Sequence, residues 1–211
     1  MLEPPVRPVS DDDPAYHGLV LDRFDAQSRY KLLTGTVAPR PIALVSTISS
    51  AGIVNVAPFS QFMIVAANPG LLGFSTSPLA DGPKHTVRNI KESGELVINI
   101  PTFSMAEQVQ ACAEELPEGE SEARHAGLDL VASEVVAPPR VVGAPVHFEC
   151  ELEKFMEFGD LPNIIVVARV RLMHLREDLL LPGNRIDTAA LDPLARIGGR
   201  NYTRLGQMKG V

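Results

Sequence analysis

Residues 41–67, PIALVSTISSAGIVNVAPFSQFMIVAA, decide the fold of this 211-residue chain. Two runs of apolar and β-branched residues flank the turn signal Ala51-Gly52, a pattern that predicts a β-hairpin. The next run, LLGFSTS at 71–77, follows a second turn signal, Asn-Pro-Gly, and predicts a third short strand. Strands joined by such short connections pair with antiparallel neighbours. We therefore expect this part of the chain to form an antiparallel sheet.

The second half of the chain supplies longer strands. The run ELVINI at 95–100 alternates, and HFECELEKF at 147–155 places apolar residues on one face and Glu149, with other charged residues, on the outward face. The β-branched run NIIVVARVRLMHL at 163–175 is expected to pair antiparallel with 147–155. Roughly six strands with short helices outside them favour a mainly β fold, a small β-barrel with peripheral helices, over a parallel α/β sheet.

Helix signals are short and lie outside the strands. Asp25 is a typical N-cap for a helix over residues 25–33. Ser104 opens an S-x-x-E capping box that predicts a helix over 105–115. The run PEGESEAR at 117–124 predicts a polar loop instead.

Composition bounds the organisation of the chain and its partners. The length predicts one domain over residues 21–211, preceded by an extended, proline-rich and acidic arm at 1–20. A net charge of −7 argues against nucleic acid or an anionic membrane as the main partner. With two cysteines, no apolar run near membrane length and no export signal, we expect a cytoplasmic protein without disulfides.

Several kinds of catalytic site have no sequence signature here. The chain contains no GxSxG elbow, no phosphate-binding Walker loop, no HExxH and no dinucleotide-binding GxGxxG unit. Its five histidines are scattered, so we expect no metal site. The sequence assigns no catalytic side chain.

The stretch GPKHTVRNI at 82–90 could be an anion site or only a helix cap. Thr86 is expected to be the N-cap of a helix over 87–93, which Gly94 closes in a left-handed conformation. Free N–H groups at such a helix start suit a phosphate, and Lys84 adds a full charge. Alternatively, Thr86 caps its own helix and Lys84 is solvated.

Polar residues interrupt the predicted hairpin. Ser46, Thr47, Asn55 and Ser60 break otherwise apolar strands, and Pro58 cannot donate to a central ladder. Buried polar groups need partners. These side chains either bind a ligand that lies along the barrel wall or are satisfied by neighbouring backbone.

Five motifs in order, taken together, resemble the flavin reductase-like family of FMN-binding split barrels, which includes flavoredoxin. They are PRPIALVST (39–47), NVAPFS (55–60), P-K-x-T-x-x-N-I (83–90), AGLDL (126–130) and RIGGRNY (196–202). The resemblance covers residues 25–205 and implies a six-stranded, Greek-key-type antiparallel split barrel. It also implies a homodimer that holds FMN near the subunit interface.

The resemblance also implies residues of the cofactor site. Those expected to line it are Ser46, Thr47, Asn55, Ala57, Ser60 and Ser75, and those expected to hold the phosphate are Lys84 and Thr86. Arg196 would approach the flavin or its reductant, or would belong only to a C-terminal turn. His85 stands where family members often have aspartate, and we assign it no catalytic role.

The implied activity is that of an NAD(P)H-dependent flavin reductase, an oxidoreductase that passes hydride to bound FMN and on to free flavin or another acceptor. Such a reaction requires no side-chain acid or base, since the cofactor carries the chemistry. A flavoredoxin-like electron carrier is the alternative, and a cofactor-free binding module is a third. The acceptor and the choice between NADH and NADPH stay open.

Overall fold

The structure is a computed structural model that describes residues 14–79, 82–114, 116–117, 119–160 and 163–210. Most of the predicted N-terminal arm, residues 1–13, lies outside the described residues. Its remainder, residues 14–20, is exposed and forms neither helix nor strand.

The strands follow the predicted β pattern closely. In chain order they are β1 (Arg40–Pro41), β2 (Ala43–Ile48), β3 (Val54–Phe59), β4 (Phe62–Ala66), β5 (Leu71–Thr76), β6 (Glu95–Ile100), β7 (Leu130–Val131), β8 (Arg140–Val141), β9 (Val146–Phe158), β10 (Asn163–Leu175), β11 (Leu180–Leu181), β12 (Arg185–Ile186), β13 (Ala195–Arg196) and β14 (Tyr202–Thr203). Short helices lie between them: α1 (Ala26–Thr36), α2 (His85–Ser93), α3 (Ala106–Ala111), α4 (Glu122–His125) and α5 (Thr188–Leu191), with 3₁₀ turns at Leu21–Arg23, Phe103–Met105 and Glu177–Leu179.

One antiparallel sheet dominates the fold, in the order β3-β2-β6-β9-β10-β5-β4. The predicted mainly β fold with peripheral helices is confirmed. The sheet has seven strands rather than six because residues 51–67, expected as one strand, bend at Ser60 and Gln61 into two. The backbone N–H of Ser75 donates to the carbonyl of Gln61 at 2.9 Å, which continues the pairing of β4 with β5 to this bend. The sheet is curled, since β3 contacts β5 although the two strands are not neighbours in the sheet order.

Two apolar cores hold the sheet. The inner core lies between the curled sheet and α2 and includes Val45, Phe74 and Ile90, all with no exposed surface. The second core lies on the other face of β2 and β3 and includes Leu44 and Val109. Because β2 is covered on both faces, its residues alternate between the two cores, and residues 43–47 have no exposed surface.

Three local predictions about helices need correction. The helix predicted over 105–115 is a 3₁₀ turn followed by α3, which ends at Ala111. Ser104 does not cap it, since its hydroxyl lies 2.8 Å from that of Thr102. Part of the predicted loop at 117–124 is helical, because α4 starts at Glu122. By contrast, Asp25 caps α1 as predicted and accepts from the N–H of Ser28 at 2.8 Å.

The outward placement of Glu149 is also wrong. Its side chain has no exposed surface because residues 132–141 cover this face of the sheet. The carboxylate accepts from the backbone N–H groups of Glu134 and Val135, at 3.0 and 2.7 Å, and lies 2.6 Å from Nε2 of His174. Although burial alone raises the pKa of Glu149, these hydrogen bonds lower it overall.

The described helices include none with the length and apolar character needed to cross a membrane.

Candidate functional site

A cavity of about 690 Å³ opens where β3, the start of α2 and the segment around 112–122 meet. Four of the eight predicted cofactor-binding residues line it: Asn55, Ala57, Lys84 and Thr86. The curled sheet therefore joins the hairpin and the GPKHTVRNI stretch in one place, although about 30 residues of sequence separate them.

The start of α2 carries no cap from the side chain of its N-cap residue, Lys84. The helix begins at His85, and Lys84 is the extended N-cap residue, with φ −55° and ψ 153°. Among the residues that the structure describes, no side chain bonds the first-turn N–H groups at this end. The prediction that Thr86 caps the helix is wrong, because Thr86 lies inside the first turn. The first-turn N–H groups, which have no partner within the helix, and the positive end of the helix dipole lie at the cavity wall.

Thr86 is instead held by a buried partner on β3. Nδ2 of Asn55 donates to Oγ1 of Thr86 at 2.9 Å, and the two residues are only 5% and 1% exposed. Because Oγ1 is the acceptor in this bond, the hydroxyl hydrogen of Thr86 can be donated to a ligand. The pair therefore fixes one donor at the helix start.

Two cavity residues were not expected from the sequence. Glu122 is 6% exposed and accepts from the backbone N–H of Val56 at 3.3 Å, and burial raises the pKa of its carboxyl group. Cys112 is a free, buried cysteine on the same wall, and burial, with Glu122 nearby, raises the pKa of its thiol to about 12. A thiol with such a pKa is not a nucleophile at neutral pH. No local motif marks either residue, because their place depends on how residues 112–122 pack against β3.

Ser60 lies in a neighbouring cleft of about 390 Å³. The cleft is bounded by α1, β13 and β14, and Arg40, Arg196 and Tyr202 contribute to its wall. Pro58 and Ala113 line both the cleft and the cavity, so the two spaces adjoin. Ser60 therefore lies beside the main cavity rather than on its wall.

The structure does not bring Ser46, Thr47 or Ser75 to either space. Ser46 and Thr47 have no exposed surface. The hydroxyl of Ser46 donates to the carbonyl of Pro139 at 2.5 Å, and that of Thr47 accepts from Nδ2 of Asn89 at 3.0 Å. Their hydroxyls are therefore satisfied within the protein. Ser75 is half-buried on β5.

Metal-ligand clusters are also missing from this region. No group of three or more His, Cys, Asp or Glu side chains suited to a metal ion occurs among the residues that the structure describes. The cavity instead combines Lys84, His85 and Arg88 with amide, hydroxyl and carboxyl groups. Such a set suits an organic anion with several hydrogen-bonding groups better than a metal ion.

Comparisons with known proteins place the chain among flavin-related proteins. A family model described as flavin reductase like domain matches residues 35–190. The Bacillus subtilis (strain 168) protein YwrF is 38% identical over 191 residues, which cover 88% of this chain and 93% of that protein.

Two solved structures are similar over nearly the whole chain. Component B of nitrilotriacetate monooxygenase from Bacillus cereus has a TM-score of 0.90 and 36% identity, with 94% of this chain and 100% of that chain covered. The 2-nitrobenzoate 2-nitroreductase NbaA of Pseudomonas fluorescens has a TM-score of 0.84 and 31% identity, with 92% and 95% covered. Both likenesses thus cover more than nine tenths of this chain.

Proposed function

The chain belongs to the family of flavin reductase like domains, and from that premise we propose that it is an oxidoreductase that binds FMN in the cavity between β3 and α2. The observation that carries this proposal is the start of α2, with Lys84 and the Asn55–Thr86 pair, at the wall of a cavity of about 690 Å³. The two similar solved structures are, by name, a monooxygenase component and a nitroreductase.

The residues at the helix start fit the phosphate of FMN. A phosphate group accepts several hydrogen bonds, and a helix N-terminus offers N–H groups with a partial positive charge. Lys84 would add a full charge, and the Thr86 hydroxyl would add a donor held in place by Asn55. His85 stands where the family resemblance implied aspartate, so this position adds no negative charge to the helix start.

The rest of the predicted site divides into contacts and supports. Asn55 and Ala57 on β3 would lie along the flavin ring, with Ser60 at its far end toward the second cleft. Thr47 holds Asn89 of α2 and would act from behind the wall. Ser46 and Ser75 remain predictions that rest on the family resemblance.

FMN, when bound, supplies the hydride and electron transfer chemistry. The protein's part is to hold and orient it and to shield it from water on the α2 side. The inert thiol of Cys112 fits this division of labour, since no side-chain nucleophile is needed. We propose that the reductant is NADH or NADPH and that electrons pass on to free flavin or another acceptor.

We also propose that the curled sheet is the split barrel of this family and that the protein is a homodimer. The edge strand β4 exposes three consecutive apolar residues, Met63, Ile64 and Val65, with Ile64 78% exposed. An exposed apolar edge strand favours pairing with another chain. Sedimentation of the wild type should show a dimer, and Ile64→Lys should shift it toward the monomer. A wild type that is monomeric at micromolar concentration would contradict the dimer.

The reductase activity is tested by mixing FMN-loaded protein with NADH or NADPH without oxygen. Bleaching of the flavin absorption at a catalytic rate supports a reductase. No bleaching with either nucleotide, in protein that does hold FMN, contradicts the reductase and favours an electron carrier. This outcome would leave FMN binding itself intact.

A further inference from the structure

The cleft beside the main cavity carries positive charge that no described acid balances. Its wall includes Arg40 and Arg196, and none of its described lining residues is Asp or Glu. The whole chain has a net charge of −7, so a locally cationic cleft stands out from its surroundings. A cleft of one charge sign with low-dielectric walls concentrates ions of the opposite sign.

Arg40 is a fixed charge at the back of this cleft. It is 8% exposed, and its guanidinium donates to the carbonyls of Thr34, Val37 and Ile197, the latter two at 2.8 and 2.7 Å. All of these acceptors are neutral, so they satisfy its hydrogen bonds without cancelling its charge. The contacts also tie the end of α1 to the C-terminal segment that forms the opposite wall.

Arg196 is the accessible charge. Its guanidinium lies 4.5 Å from the ring centroid of Tyr202, and Nη1 donates to the Tyr202 hydroxyl and, at 3.4 Å, to Oε1 of Gln110. Within the described part of the chain, Nε and Nη2 take part in no hydrogen bond and no carboxylate lies within ion-pair distance. Stacking on Tyr202 holds the planar fork in one orientation, which suits bidentate contact with a carboxylate or phosphate.

We propose that this cleft binds the anionic group, a phosphate or a carboxylate, of the small molecule that exchanges electrons with the flavin. Arg196 is the direct ligand, and Arg40 is the fixed charge behind it. The position supports this role, because Pro58 and Ala113 are common to both walls and a molecule seated here reaches the main cavity. The inference rests on the proposed function, since it takes the main cavity to be the flavin site.

The test is calorimetric titration of FMN-saturated protein with two probes, inorganic pyrophosphate and benzoate. FMN saturation occupies the phosphate site at α2, so a further anion must bind elsewhere. We expect at least one probe to bind and Arg196→Gln to weaken it on the order of 10- to 100-fold, the loss of a charge-assisted hydrogen bond. Pyrophosphate binding would assign the cleft to the phosphates of a dinucleotide reductant, and benzoate binding to an aromatic acid.

Two further variants separate a lost ligand from a damaged fold. Arg196→Lys keeps the charge without the fork and should retain part of the affinity. Arg169→Gln removes the same charge from an ion pair between Arg169 of β10 and Glu153 of β9 and should leave binding unchanged. If neither probe binds, or if Arg196→Gln binds both as tightly as wild type, the anion site is overturned. Protein that takes up no FMN would instead contradict the proposed function, and titration without FMN would still decide the Arg196 dependence.

Discussion

Replacing Lys84 by methionine should weaken FMN binding selectively through the phosphate. The substitution keeps the length of the side chain and removes its charge at a helix start that no described side chain caps. A hydrogen bond to a charged group contributes about 1.5–3 kcal/mol, which corresponds to about a 10- to 150-fold increase in the dissociation constant. The helix dipole and Thr86 remain in the variant, so we expect weakened rather than abolished binding.

The assay is quenching of flavin fluorescence on titration of apoprotein with FMN and, in parallel, with riboflavin, which lacks the phosphate. Lys84→Met should bind riboflavin as tightly as wild type does. Because salt screens the attraction between Lys84 and the phosphate, added salt should weaken FMN binding more in the wild type than in the variant. Lys91→Met is the matched control, because Lys91 is exposed in the last turn of the same helix, 5.7 Å from the ring centroid of Phe155. Equal FMN affinity in Lys84→Met and wild type, or an equal loss for riboflavin, would refute the phosphate assignment.

Three further expectations follow from single contacts. Thr86→Val removes a hydrogen-bond donor and leaves Asn55 unpaired, so the free energy of FMN binding and the free energy of unfolding should each fall by about 1–3 kcal/mol. Thr86→Ser keeps the hydroxyl and should retain most of both. Wild-type values for Thr86→Val in a fluorescence titration and in urea unfolding would contradict this. Burial lowers the pKa of His147 from 6.5 to about 4, so between these pH values the unfolded chain binds more protons than the folded protein, and the free energy of unfolding falls as the pH drops through this window. In urea unfolding, His147→Gln should therefore lose less stability than wild type between about pH 7.5 and about pH 4. Parallel curves of stability against pH for the two proteins would disprove this. Gly94 has φ +73°, so Gly94→Ala should lower the free energy of unfolding by about 1 kcal/mol and with it the melting temperature. Gly35 lies inside α1 with open space around it, so Gly35→Ala should raise the melting temperature slightly. A shift of the same sign in both variants would count against the backbone argument.

The strands were predictable because their signals are local. Alternation and β-branched residues at 95–100 and 163–175 depend only on neighbouring positions, and β6 and β10 form there. The burial of Glu149 was not predictable in this way. Alternation places it on the outer face of the sheet, and only the packing of residues 132–141 makes that face a buried one.

The residues of the candidate site also differ in how far local sequence could identify them. Lys84 and Thr86 stand out in sequence because residue types of helix starts are recognisable, although the boundary itself was misplaced by two residues. Thr86 is a favourable cap by type, and its bond to Asn55 on β3 gives it another role. Arg40 and Arg196 could not be assigned together, since 156 positions separate them and only the fold brings both to one cleft.

The most direct test of FMN binding is the visible absorption spectrum of the purified protein, followed by mass identification of whatever is released on denaturation. We expect flavin absorption, or its appearance after incubation with FMN and removal of the excess, and the mass of FMN in the released fraction. A colourless protein that retains no FMN after such incubation would contradict the proposal that the cavity between β3 and α2 is a flavin site.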